Sequence, residues 1–337
     1  MSENDKTTYL PSEMAEEIVG VKELYYKKLC EFKTNRNLLD NWYFAYGKAI
    51  TESTPYSNLG TFPINQRGDG SYSNDGTYAI DRWKIAGSGA VTVGAGFLRF
   101  YGVAGANAWL QTWSDNLAIY GKQITISMLL KNGALLTATG SLSAAPVASD
   151  TGFSTSSIDG IAFGVLKTPS GNWVAQIGNV QNGNSVVNAD VVAVKVELGS
   201  AQTLAHNEGT DANPVWVLNE IPVYSEELAK CQRYQWVVGP GPCALGFGQA
   251  MDANNVMAIM NAPVTFCKSP GVSLLRGSAF FRNGTVTIES SAITEQPTAY
   301  DMNPVHVAFG TTGGLTPGAP YEVYLTSGSK IIFDANL

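Results

Sequence analysis

Residues 225–237, SEELAKCQRYQWV, set a thiol, an amide, a guanidinium and a phenol side by side: Cys231, Gln232, Arg233 and Tyr234. Such a row could serve a nucleophile, a metal or only packing. A reactive thiol needs a nearby cation or a helix N-terminus to stabilise its thiolate, and no histidine stands close to Cys231 in the chain. The four cysteines (Cys30, Cys231, Cys243, Cys267) form no CxxC pair and no Cys/His cluster, which argues against zinc. They read as scattered reduced thiols. The stretch itself reads as a short helix, with Ser225 as N-cap, Glu226 and Glu227 in the first turn, and Leu228 and Cys231 on one face.

Histidine chemistry has little material. His206 lies in the loop AHNEGTDANP and His306 in the alternating run NPVHVAFG, and there is no GxSxG elbow. Asp81, Asp115, Glu197 and Glu220 are the carboxylates available for a glycosidase pair, but spacing along a β chain does not fix their separation in space. The turns at Asp69-Gly70 and Asn74-Asp75-Gly76 offer oxygen ligands without the EF-hand spacing, and serve as positive-φ turns instead. Neither a metal nor a cofactor is expected.

Aromatic side chains are the better lead. Trp109 and Trp113, in NAWLQTWSD, share one face of a strand. Exposed, they would make a platform for the apolar faces of sugar rings, with Tyr101 and Trp173 contributing; buried, they would be core.

The elements that must position these groups are strands. Charged residues make up only 15% of the 337, glycine occurs 35 times, and short apolar runs alternate with Gly, Asn and Ser turns. Period-two alternation in Gln123–Met128 and Val192–Leu198 predicts one buried face for each strand. Many strands without intervening helices predict an all-β chain of sandwich or jelly-roll type. The predicted units are residues 37–222, a joining helix at 223–236 and a second β-sandwich at 237–337. A net charge of −7 with no basic cluster argues against nucleic acid as a partner. No apolar run is long enough for membrane insertion, and the polar N-terminus lacks the plan of a signal peptide, so synthesis in a cytoplasm is expected.

Residues 1–36 have a different texture, with six basic and seven acidic side chains. Met14, Ile18, Val21, Tyr25 and Phe32 form one apolar stripe on a predicted α-helix that starts after Pro11. Nothing inside the segment covers that stripe. It is therefore expected to pack on identical copies, on the body of the protein or on a neighbouring protein.

Read in order, NLLDNWYF, PINQRG, YAIDRW, VKVELGS, YSEELAKCQRY and the final IIFDANL resemble the tail-fibre-like virion structural proteins of tailed bacteriophages and prophages. The segment NVMAIMNAPVTFCKSPGVSL adds to the resemblance, which spans residues 37–337. The insert AYGKAITESTPYSNLGTF and the form CQRYQW depart from the usual pattern. The resemblance implies a jelly-roll, carbohydrate-binding-module-like sandwich followed by a second β-sandwich. It also implies a non-enzymatic fibre or spike on the virion surface, a homotrimer that recognises bacterial surface polysaccharide. Residues 1–36 would then attach it to other virion proteins of the tail or capsid. A head fibre or capsid decoration protein is the alternative, and a glycan-cleaving tailspike a more distant one.

Overall fold

The computed structural model describes residues 35–45, 62–68, 71–72, 75–85, 90–101, 109–113, 119, 121–142, 152–154, 161–167, 173–178, 188–284, 286–290, 292–295 and 304–336. The predicted N-terminal helix and its stripe (Met14, Ile18, Val21, Tyr25, Phe32) lie outside them. The described chain is all-β apart from one short helix.

The first part of the chain contributes β1 (Ser71–Tyr72), β2 (Tyr78–Ile80), β3 (Trp83–Ile85), β4 (Ala90–Gly94), β5 (Phe97–Tyr101) and β6 (Trp109–Trp113). It continues with β7 (Gln123–Leu130), β8 (Leu135–Ser141), β9 (Gly152–Ser154), β10 (Ala162–Lys167), β11 (Trp173–Gly178) and β12 (Asn188–Leu198). Their pairing is antiparallel, in two sheets ordered β1-β4-β5-β12-β7-β8 and β2-β3-β6-β11-β10-β9. One hydrophobic core draws on both: Leu98, Phe100, Ile124, Ile126 and Val194 from the first sheet meet Trp83, Phe163, Val165 and Trp173 from the second. Residues 37–44 run beside the second half of β12, with Leu38 N–H donating to Val196 and Phe44 N–H to Val192.

The alternation in β7 and β12 predicts one wet face, and here the structure differs. Thr125, Ser127, Lys195 and Glu197, on the polar face, are all fully buried. The chain after β12 covers them. Glu197 accepts hydrogen bonds from Thr203 N–H and Oγ1–H, Lys195 Nζ reaches Glu220 at 2.8 Å, and Thr125 Oγ1 donates to the Gly199 carbonyl. The chain then forms a hairpin of β13 (Ala205–Asn207) and β14 (Trp216–Leu218), whose Trp216 and Leu218 pack on the first core. Buried charge is retained because each group finds a partner.

Helix α1 (Tyr224–Gln232) begins two residues earlier than Ser225 as N-cap requires. Val223 occupies the cap position with no side-chain cap, and Ser225 stands inside the first turn. The helix is held instead by its inner face: Cys231 is part of the first core, and Tyr224 and Leu228 pack on it.

A second hydrophobic core follows, built from residues between Ala250 and Ala335. Its strands are β15 (Gln235–Val238), β16 (Cys243–Ala250), β17 (Asn255–Met260), β18 (Gly271–Arg276), β19 (Ala279–Asn283), β20 (Val286–Glu289), β21 (Ala292–Glu295), β22 (Val305–Gly310), β23 (Pro320–Leu325) and β24 (Lys330–Asp334). They form a three-stranded sheet, β15-β24-β18, and a seven-stranded one, β20-β19-β23-β16-β17-β22-β21.

Candidate functional site

The motifs that stand far apart in sequence meet at one place, the seam between the two cores. Asn41, from NLLDNW, is fully buried at a φ of 51°, a region that asparagine tolerates better than most residues. Its Nδ2 donates to the carbonyls of Ile64 and Asp81, both at 2.8 Å, and its Oδ1 accepts from Ile64 N–H. Its own N–H donates to Glu227 Oε2 on α1 at 2.8 Å, and its carbonyl accepts from Trp83 Nε1 at 2.9 Å. One side chain and its peptide groups thus tie four motifs together.

Asp81, from YAIDRW, is 1% exposed. Its carboxylate accepts from Gln66 N–H at 3.1 Å, from Gln66 Nε2 and, across the seam, from Gln235 Nε2 at 3.0 Å. Burial pushes its pKa up to about 6; the Gln66 hydrogen bonds and the nearby Arg67 and Lys330 pull the other way. Arg67 Nε donates to Gln235 Oε1 at 2.8 Å, which fixes the orientation of that amide, and Arg67 Nη2 reaches Asp334 at 3.4 Å. Lys330, buried, donates to the carbonyls of Gln66 and Arg67. Arg82 lies over the ring of Tyr234 at 3.4 Å while its Nε meets Asp40 at 3.2 Å.

A buried carboxylate titrating near 6 is the signature sought in a general acid or base. At Asp81 the partners are all amide donors of the protein itself, and the group is enclosed between two β units. Its chemistry is that of a fastener. Cys231 is equally enclosed: burial, then the neighbouring Asp81, Asp40 and Glu227, raise its thiol well above the ordinary range, the opposite of what a nucleophile needs.

The other candidates are dispersed. Glu197 and Glu220 serve the cover over β12, and Asp115 lies outside the described residues. His206 Nδ1 lies 2.6 Å from Asn219 Oδ1 and its Nε2 lies 3.2 Å from Glu208, whereas His306 is on β22, opposite Ile259. Among the described residues, no three metal-ligating side chains converge, and no helix is long and apolar enough to cross a membrane.

Of the aromatic residues, Trp109 and Trp113 occupy the two ends of β6, opposite Ile177 and Trp173; their side chains are outside the described residues. Trp173 is 0% exposed and forms part of the first core, so it presents no ring face to a ligand. Tyr101 is placed differently. β5 buries Leu98 and Phe100 and turns Phe97, Arg99 and Tyr101 to the other face of its sheet. There Arg99 makes a bidentate pair with Asp190 of β12, both bonds 2.6 Å, and lies 5.3 Å from the centroid of Phe97 and 6.0 Å from that of Tyr101. Hydrogen bonds to Asp190 and then to Tyr101 hold its guanidinium above an already high ordinary value. Tyr101 is a candidate by its residue type alone, whereas Arg99 and Asp190 are 91 positions apart and share no motif that would signal them. No family model matches the chain, and no curated protein matches it.

Proposed function

We propose that the chain is a non-enzymatic bacteriophage virion protein, a fibre or spike attached through residues 1–36. It exposes two β-sandwiches, the first a jelly roll of carbohydrate-binding-module type, for recognition of bacterial surface polysaccharide. The observation that carries the reading is the convergence of the family-like motifs. Asn41 of NLLDNW binds Ile64 of PINQRG, Asp81 of YAIDRW and Glu227 of SEELAKCQRY, and Arg67 of PINQRG reaches Asp334 of IIFDANL. Motifs that meet in this way suit a scaffold that holds two β units together, as a protein displayed on a particle requires. The aromatic and ion-paired face of β5 adds a surface of the chemistry that saccharides favour. Assembly as a homotrimer would multiply weak sugar contacts into useful avidity.

A head fibre or capsid decoration protein is the second reading. Labelled antibody on intact particles decides between tail and capsid. Removal of residues 1–36 is expected to leave folded β units and abolish incorporation into particles; normal incorporation overturns the anchor. Release of reducing sugar from host glycan, lost on changing one carboxylate, would replace this reading with a tailspike hydrolase.

A further inference from the structure

The register of β12 against β7 shifts between Val191 and Ala193, so Val192 is an extra residue in that strand. A bulge of this kind bends its strand and redirects the neighbouring side chains. Beside it opens a cleft of about 360 Å³ lined by Leu130, Lys131, Asn132, Ala189 and Asp190. Leu130 and Ala189 are buried and form an apolar floor, while Lys131 and Asn132 are exposed, on the turn between β7 and β8. That turn is pinned to the bulged strand by Lys131 N–H, which donates to the Asp190 carbonyl at 2.8 Å.

The polar groups around the cleft are already oriented. Asp190 is clamped by the two Arg99 bonds, yet each of its oxygens retains acceptor capacity for a hydroxyl. Asn132 uses Oδ1 to accept from Ala134 N–H, so the group it offers a ligand is its amide nitrogen. Lys131 Nζ stands 3.9 Å from the centroid of Phe97. That ring in turn lies across Gly94, where a Cβ would come within 2.4 Å of Phe97 Cζ. Glycine is therefore needed for the ring to lie flat and carry the ammonium. Among the described residues Lys131 has no carboxylate within ion-pair distance, in contrast to Arg99. A cation held on an aromatic face beside a fixed acceptor, a donor and an apolar floor matches a polyol that bears an anionic group.

The geometry points to this cleft as a binding site for an acidic saccharide unit, with Lys131 taking its carboxylate and Asp190 and Asn132 its hydroxyls. This rests on the surface-recognition reading above and gives it a ligand class. The neutral arm is a glucose oligomer, the acidic arm a glucuronate-containing oligomer of equal length, and the third arm inorganic phosphate, each titrated into the full-length protein by NMR and calorimetry. The uronate oligomer is expected to shift the amides of residues 130–132 and 189–190. Lys131→Gln is expected to weaken it about tenfold or more, the value of one charge-assisted hydrogen bond. Asp190→Asn should weaken it too, with thermal midpoints read alongside. Equal binding of the uronate by wild type and Lys131→Gln overturns the assignment, as does equal binding of the neutral oligomer. Saturation of the same amides by phosphate alone reduces the site to a simple anion site and also overturns it. Attachment to bacterial cells that survives both substitutions sinks the cleft and leaves surface recognition standing. Uronate binding at the cleft without attachment to cells does the reverse.

Discussion

Gln235, the first residue of β15, donates from Nε2 to the Asp81 carboxylate at 3.0 Å while its Oε1 accepts from Arg67 at 2.8 Å. One amide from the second unit is thus held between an acid and a base of the first. Both of its bonds go to a charged group and one is fully buried, so the contact is stronger than an ordinary surface hydrogen bond. Gln235→Ala is expected to cost about 2–3 kcal/mol, since it leaves Asp81 short of a donor. The loss should fall on the seam rather than on either core. Urea unfolding of the variant should separate into two transitions, and a single unshifted transition would show that the seam does not couple the units.

Asp81 gives the seam a pH dependence of defined sign. Its folded pKa, about 6, lies above the ordinary 3.8. The folded state therefore binds the proton more tightly than the unfolded state. The contribution of this group is fully present below about pH 4 and is lost as pH rises through about 6. Two pH units correspond to about 3 kcal/mol for so deeply buried a group. Denaturation midpoints measured from pH 4 to 7 should carry this falling component in the wild type and lack it in Asp81→Asn. The same slope in both would remove Asp81 as its source.

Asn41 separates two reasons for keeping a residue. Its φ of 51° alone would be satisfied by glycine, whereas its side-chain bonds to Ile64 and Asp81 would not. Asn41→Gly is expected to lower stability by about 3 kcal/mol or more, because buried backbone groups at Ile64 and Asp81 lose their partners. Asn41→Ala should be worse by the added strain of about 1 kcal/mol. A mild glycine variant beside a severe alanine one, read by chemical denaturation, would mean that backbone conformation is what matters.

These relationships mark how far the sequence was legible. The all-β character and the short helix before Gln235 could be read from turn density and alternation, which are local properties. Ser225 has the chemistry of an N-cap, but the helix starts after Val223 without a side-chain cap, its stability coming from Cys231, Tyr224 and Leu228 against the core. Lys195 and Glu197 look solvent-facing by alternation, and only the later chain from Gly199 to Glu220 buries them. That Asn41, Asp81 and Gln235 share a seam depends on contacts spanning 40 and 154 positions, which no local pattern encodes. The pairing of Arg99 with Asp190, 91 positions away, is equally beyond any local pattern.

Tyr234 offers a test of how Arg82 is held. The guanidinium lies 3.4 Å from the Tyr234 ring centroid and is 1% exposed at its side chain, with Asp40 at its Nε. A ring face stabilises a desolvated cation by about 2 kcal/mol, and the effect depends on the π system rather than on the hydroxyl. Tyr234→Phe is therefore expected to stay close to wild type, and Tyr234→Leu to lose about 2 kcal/mol. Equal losses in the two variants, measured by chemical denaturation, would assign the contribution to the hydroxyl and not to the stacked cation.

Trp173 and Tyr101 should respond in opposite ways, although both are aromatic residues of strands in the first unit. Trp173 is fully enclosed in the first core, so Trp173→Ala removes a large buried side chain and leaves a cavity. The expected cost is about 3–5 kcal/mol, seen as a fall in thermal midpoint. Tyr101 is half-buried on the outer face of β5 beside Arg99, and its ring contributes little to that core. Tyr101→Ala should leave the midpoint within about 2 °C of wild type. Its effect should instead be weaker retention on immobilised acidic polysaccharide, because Arg99 loses one flank and the Asp190 clamp loosens. A large midpoint shift with unchanged retention would return Tyr101 to the scaffold and take the outer face of β5 out of recognition.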